Sequence, residues 1–284
     1  MSAHILDGRA LANSILDSLR LRVEALNLRG VTPRLDVFVA SQDSASLAYV
    51  AMKRRWSAKI GIAGESIEIT SQTTQREIIA KINELNENPA VHGILLQHPL
   101  PTHLDEHAAL LALGAQKDVD GITPQSLGRL LADLPGFRCA TPLGMIKLLE
   151  HYELPIQSKR ALVVGRSVIV GKPAALMFLQ KNATVTIAHS KTQDLPDLCA
   201  QADILVAAVG HAGMIRSEWI KPGAIVVDAG YNKVEGVKGD VGDVDFDAAS
   251  QVAGWITPVP GGVGPMTVAS LLSNAVDAAE IATG

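Results

Sequence analysis

Ala161-Leu162-Val163-Val164-Gly165-Arg166-Ser167-Val168-Ile169-Val170-Gly171-Lys172-Pro173 reads as a buried strand, a glycine turn and the start of a helix. Gly165 suits a tight turn where a side chain would clash, and Gly171 lets backbone approach a phosphate. Amides at a helix N-terminus offer donors and the positive end of a dipole to a pyrophosphate. Pro173 fits the first helical turn, where its missing N–H costs nothing. The spacing departs from G-x-G-x-x-G, so the glycines alone read equally as an ordinary strand-to-helix connection. Their place between two good strands favours a dinucleotide loop.

The next strand, Thr184 to Ala188, ends on His189-Ser190-Lys191-Thr192. An NAD enzyme sets Asp or Glu about 20 residues after the glycines to accept from the ribose 2′-OH. No acid stands in this tetrapeptide, and a basic, hydroxylic patch suits a 2′-phosphate. Arg166 is positioned in the loop to pair with that phosphate. The expected cofactor is therefore NADP rather than NAD.

Outward from the loop, the second half shows strands at Arg160–Val164, Ile204–Val209 and Ile225–Asp228 and helices at Pro173–Lys181 and Met266–Ile281. The first half alternates in the same way. A helix over Asp7–Leu28 precedes a strand at Leu35–Ala40, and a helix from Ser44 to Ile62 precedes one at Glu65–Ile69. Thr74–Asn86 opens with Thr74 and Glu77 in capping-box spacing, and Val91–Leu96 follows as a strand. Such alternation predicts mostly parallel sheets. The pattern breaks at Pro135-Gly136, and Thr141-Pro142 opens a helix to His151.

The chain has 284 residues, enough for two modest domains, and 48% of them are hydrophobic. Aromatics are only 4%, so the core is aliphatic, as in helix-covered parallel sheets. A net charge of −4 offers no broad attraction for nucleic acid. Two cysteines are too few for a disulfide framework or a zinc site, and no metal is expected. The N-terminal stretch lacks the pattern of a signal peptide, and no apolar run approaches the ~18 residues of a membrane span. A cytoplasmic protein is expected.

Tyr49 and Lys53 stand at i and i+4 on one helical face. Alone they are an ordinary surface pair. Short-chain dehydrogenases also use Tyr-x-x-x-Lys, but after their glycine loop; here the order is reversed. Gln97-His98-Pro99-Leu100-Pro101 closes a buried strand, and Lys117-Asp118-Val119-Asp120-Gly121 sets two carboxylates in a loop. With Thr141-Pro142, Gly165 to Pro173, His189 to Thr192 and Thr257-Pro258-Val259-Pro260-Gly261-Gly262-Val263-Gly264-Pro265-Met266-Thr267, these pieces run in order along nearly the whole chain. In them the sequence closely resembles the bifunctional methylenetetrahydrofolate dehydrogenase/cyclohydrolase family.

The resemblance implies an α/β fold. An N-terminal folate-binding catalytic domain (1–140 with the returning helix 266–284) would join a Rossmann-type NADP-binding domain (141–265) through long helices across a cleft, in a homodimer. It implies NADP-dependent oxidation of 5,10-methylenetetrahydrofolate and hydrolysis of the methenyl product to 10-formyltetrahydrofolate. Lys53, Tyr49, Gln97 and Asp120 would be the catalytic set. Lys53 serves as general base or proton relay, Gln97 orients it, Tyr49 stacks on the folate rings and Asp120 accepts from the pterin edge. Pro260, Gly261 and Gly262 would line the substrate. The cofactor would touch Thr141, Gly165, Arg166, Ser167, Val170, Gly171, His189, Ser190, Lys191, Thr192 and Gly210.

Two departures stand out: His98 where relatives commonly carry Leu, and Ile122-Thr123-Pro124 leading to Ser126 where many read Phe-His-Pro and then Asn. His98 reads first as a tolerated, partly exposed substitution; both departures bear on substrate fit and the balance of activities without touching Lys53, Gln97 and Asp120. A dehydrogenase without the hydrolase step and a silent NADP-binding scaffold are the rival readings. The retained Lys53, Gln97 and Asp120 argue against the second.

Overall fold

The computed structural model describes residues 2–40, 44–236 and 239–284, with the backbone alone for 44–50. In chain order the first half carries β1 (His4–Ile5), α1 (Gly8–Leu28), β2 (Leu35–Ala40), α2 (Ser44–Ile60), β3 (Ser66–Ile69), α3 (Gln75–Glu87), β4 (Gly93–Leu96), α4 (Glu106–Ala112) and α5 (Pro124–Leu131). The second half carries α6 (Ala140–His151), β5 (Arg160–Val164), α7 (Gly171–Gln180), β6 (Thr184–Ala188), α8 (Leu195–Gln201), β7 (Ile204–Ala207) and β8 (Ile225–Asp228). It ends with β9 (Asn232–Lys233), β10 (Asp240–Val241), α9 (Phe246–Ala249), β11 (Trp255–Ile256) and α10 (Val263–Ala282).

Two compact units result: Ser14–Arg138 with Leu271–Gly284, and Met1–Asn13 with Cys139–Ser270. The first holds a parallel three-stranded sheet in the order β3-β2-β4. Phe38, Ile94 and Leu96 from its strands pack with Ile78, Ile82 and Leu85 of α3. Helix α3 begins where the sequence says, because Thr74 accepts from the Glu77 N–H while the Glu77 carboxylate accepts from the Thr74 N–H.

The second unit holds a parallel sheet in the order β1-β11-β8-β7-β5-β6. β5 has β6 on one side and β7 on the other, so the strand order reverses at β5, where doubly wound sheets bind ligands. β5 and β7 are buried almost throughout, as their unbroken apolar runs require.

Strands β2, β5, β6 and β8 coincide with their sequence-based bounds. Residues 1–13, which the sequence places with the first half, group with the second because His4 and Ile5 pair with Trp255 and Ile256. Two-residue strands leave no periodic signal. Helices α4 and α5 also went unread, although their caps are visible. Asp105 accepts from the Ala108 N–H, and Thr123 accepts from the Ser126 N–H ahead of Pro124.

Candidate active site

Lys53 lies in α2 and is buried. Its Nζ donates to Oε1 of Gln97 at 2.9 Å. Gln97 follows β4 directly, and its N–H donates to the Phe38 carbonyl of β2, so the sheet itself fixes where the amide stands. Helix α2 follows β2, and the parallel β2–β4 pairing therefore brings two residues 44 positions apart into hydrogen-bond contact. Tyr49 lies one helical turn before Lys53; its side chain lies outside the described residues.

The segment Lys117–Gly121 runs beside β4 through a bridge between Ile94 and Asp118, and its three charged residues divide their work. Lys117 donates from Nζ to the carbonyls of Leu85 and Asn88 at the end of α3, an ordinary way to satisfy a helix C-terminus. Asp118 is buried and accepts from the N–H groups of Gly121, Ile122 and Thr123, which folds the loop around it. Asp120 is half-buried, and its carboxyl and the Lys53 ammonium feel each other's charge.

Burial strips water from the Lys53 ammonium and brings its pKa down to about 8, with the negative charge of Asp120 as the smaller opposing influence. Burial pushes the Asp120 carboxyl up. Lys53 and His98 act against that rise and Asp118 adds to it. A lysine that loses its proton this readily, oriented by an amide and next to a carboxyl group, is equipped to take a proton from water. At the second departure, Ser126 is buried, and its hydroxyl accepts from the Thr123 hydroxyl at the start of α5. That departure closes a helix cap.

In the other unit, Val164, Ala188 and Ala207 are in register across β5, β6 and β7. The loops that follow these strands, with Gly165–Arg166, His189–Thr192 and Gly210, consequently leave the sheet at one end. Gly165 has φ +133°, and a Cβ there would stand 2.1 Å from the Ala208 carbonyl oxygen. A Cβ on Gly171 would stand 2.3 Å from the Gly165 oxygen. Both glycines are thus required by the loop's own closure.

The Val170 and Gly171 N–H groups donate to Ser167 Oγ, at 3.1 Å and 3.2 Å. Two of the donors that the sequence assigns to a phosphate are therefore already engaged. Thr192 Oγ1 accepts from the His189 N–H, and the His189 ring accepts from the Lys191 N–H. This turn leaves Ser190 and Lys191 exposed, as Arg166 is. Cationic and hydroxyl groups on adjacent loops, with no acid among them, fit a ribose carrying a 2′-phosphate.

Sequence reasoning missed the carboxylates that shape this end of the sheet. Asp243 accepts from the N–H groups of Val209, Gly210 and His211 and from Asn232 Nδ2. Asp228 accepts from the N–H groups of Gly230, Asp243 and Val244, and burial pushes its pKa up to about 6. The signal was Asp243 in a glycine-flanked turn, which by itself reads as surface.

Thr141, in α6, has its hydroxyl held by Thr267 at 3.1 Å. In the Pro260–Gly262 loop the Gly261 carbonyl accepts from the Arg9 N–H. A Cβ on Gly262 would stand 2.6 Å from Thr257 Cβ, and one on Gly8 would stand 2.0 Å from the Gly262 oxygen. Gly262 therefore makes room for its own chain.

Residues 6–120 match the family model described as tetrahydrofolate dehydrogenase/cyclohydrolase, catalytic domain, and residues 139–283 match that family's NAD(P)-binding domain. A curated relative named bifunctional protein FolD, from Cellvibrio japonicus, is 50% identical over 281 residues, covering 99% of each chain. The solved bifunctional methylenetetrahydrofolate dehydrogenase/cyclohydrolase of Campylobacter jejuni superposes with a TM-score of 0.96 at 42% identity, covering 99% of both chains. That of Trypanosoma brucei, complexed with NADP cofactor and inhibitor, gives 0.95 at 37% identity, covering 100% of this chain and 99% of that one.

Proposed function

The chain belongs to the tetrahydrofolate dehydrogenase/cyclohydrolase family, and from this we infer that it oxidises 5,10-methylenetetrahydrofolate with NADP+ and hydrolyses the methenyl product to 10-formyltetrahydrofolate. The observation that carries the chemistry is the buried Lys53 held by Gln97 beside Asp120.

Bound NADP+ supplies the hydride acceptor for the methylene carbon. This chain's residues must hold the reactants in line and keep water out until it is needed. Arg166, Ser190 and Lys191 would hold the 2′-phosphate, and Thr141, Gly165, Ser167, Val170, Gly171, His189, Thr192 and Gly210 complete the proposed cofactor set. The folate set comprises Tyr49, Lys53, Gln97, Asp120, Pro260, Gly261 and Gly262. We assign folate binding to residues 1–140 with 266–284, and NADP binding to 141–265.

The oxidised product is a cation, and a charged lysine beside it is repelled. A pKa already near 8 makes the neutral amine accessible, and the cation lowers it further. Neutral Lys53 accepts a proton from the water that attacks the methenyl carbon, while Gln97 Oε1 keeps Nζ in place. The carbon–N5 bond then breaks as N5 takes the proton that Lys53 had accepted and the adduct's hydroxyl gives up its own to solvent, leaving the formyl group on N10. Asp120, as carboxylate, accepts from the pterin's donor edge.

The decisive test is a spectrophotometric assay with NADP+ and NAD+ side by side on wild type and Lys53→Met. Lys53→Met is expected to lose the hydrolase step, and full hydrolase activity in it overturns the lysine's role. Arg166→Ala is expected to erase the preference for NADP+; equal use of NAD+ by the wild type overturns the phosphate reading.

We further propose a cytoplasmic homodimer. Among the described residues no helix is long and apolar enough to cross a membrane. Both cysteines are buried. β6 is an edge strand with Ile187 exposed, which suits pairing with a second copy. Sedimentation at assay concentration checks the dimer.

A further inference from the structure

Asp243 is fully buried, and its carboxylate gathers three consecutive backbone N–H groups of the loop after β7. Oδ2 accepts from Val209 at 2.6 Å and from Gly210 at 3.0 Å. Oδ1 accepts from His211 at 3.0 Å and from Asn232 Nδ2 at 2.9 Å. Successive N–H groups turned to one side form a nest that binds an anion. Here the chain's own carboxylate fills the nest, and a ligand phosphate placed there would find its donors already taken.

The carboxylate is itself anchored. The Asp243 N–H donates to Asp228 Oδ1 at 3.0 Å, and the Asp228 N–H donates to Thr257 Oγ1 at 2.7 Å. Gly230 makes the room, since a Cβ there would stand 2.5 Å from Asp243 Oδ1. In a trans peptide the carbonyl points opposite to the N–H it shares a plane with. The three trans peptides that turn N–H groups to Asp243 therefore turn the carbonyls of Ala208, Val209 and Gly210 away from it. The Ala208 oxygen lies against Gly165, so that side is the side of the glycine loop. Neither the Val209 nor the Gly210 carbonyl has a donor among the described residues.

We propose that Asp243 is a positioning residue of the cofactor site, which turns the β7 loop so that the Val209 and Gly210 carbonyls accept from the nicotinamide riboside half of NADP+. This rests on the reading of Arg166, Ser190 and Lys191 as partners of the 2′-phosphate. Those residues stand on the loops after β5 and β6, and β7 lies on the other side of β5 from β6. A dinucleotide laid across these strand ends with its 2′-phosphate at β6 carries its other half toward β7. That half offers hydroxyl and carboxamide donors, for which bare carbonyls are the matching acceptors.

The test uses the full chain as wild type, Asp243→Asn, Asn232→Ala and Arg166→Ala. Each is titrated calorimetrically with NADP+ and with adenosine 2′,5′-bisphosphate, which keeps the 2′-phosphate and lacks the nicotinamide riboside. Asp243→Asn sets an amide donor against the loop's N–H groups, so the loop must turn. Its Kd for NADP+ is expected to rise about tenfold, the loss of one or two hydrogen bonds, while the Kd for the bisphosphate stays within about twofold. A merely structural role would weaken both ligands alike. Asn232→Ala removes one donor from the same carboxylate and should act the same way by about threefold, and it carries the test if Asp243→Asn fails to fold. Unchanged NADP+ binding, or a bisphosphate weakened as much as NADP+, overturns the proposal alone. Arg166→Ala should weaken both ligands; a wild-type Kd for the bisphosphate in that variant overturns the 2′-phosphate reading and the proposal with it.

Discussion

Lys53 owes its lowered pKa to where its ammonium is held: water is excluded around it, and the charge of Asp120 compensates only in part. Hydrolase kcat/KM is therefore expected to rise with pH to a plateau, with an apparent pKa near 8. Lys53→Arg, which stays charged, should lose that limb and on the order of a hundredfold or more in rate. The same shift acts on stability. The folded pKa lies below the unfolded value, so the unfolded chain holds the proton more tightly between about 8 and 10.5. Wild type should gain on Lys53→Met across that window as pH rises, read as the difference in Tm. Asp118 teaches the opposite lesson, since its oxygens are spent on three backbone N–H groups. Asp118→Asn turns one acceptor into a donor facing those groups and should cost about 1–3 kcal/mol in urea unfolding. From sequence only the family resemblance singled out Asp120; the hydrogen bonds show why Asp118 is a brace.

The glycine loop and the end of β6 are the elements proposed to hold the cofactor. The strand–turn–helix pattern was legible because Gly165 and Gly171 interrupt apolar runs, and the acid-free tetrapeptide was legible as composition. The role of Ser167 was not, because a serine in a loop announces neither the amides it caps nor the turn it closes. Gly171→Ala is expected to do more than crowd a ligand, since its Cβ meets the Gly165 oxygen at 2.3 Å. The loop must open, and NADP+ KM should rise at least about tenfold, with about 1–3 kcal/mol lost in thermal unfolding. A variant of unchanged KM shows that the loop relaxes freely and does not shape the site.

Across the whole molecule, α1 and α10 each begin in one compact unit and end in the other. Within the first unit they are tied by Arg22, whose Nη2 lies 2.6 Å from Asp277 and 2.5 Å from Glu280. All three side chains are about a third or more exposed, so solvent screens the tie, and Arg22→Ala should cost only about 1 kcal/mol. The urea midpoint should fall, and high salt should shrink the difference between variant and wild type. Asn274 of α10 adds bonds from Nδ2 to the carbonyls of Val119 and Arg138, which settle the chain around the Asp120 loop. The amino-acid sequence by itself determined most of the alternating elements, the strand–turn–helix around Gly165 and Gly171, NADP as the cofactor and the family. All of these rest on residue types at short spacing and on the order of motifs along the chain. The tertiary structure alone decided that Lys53 meets Gln97, that Asp118 braces its own loop, and that the His98 ring lies against Glu106. Charge states depend on burial and on neighbours distant in sequence, and neither exists until the sheet has formed.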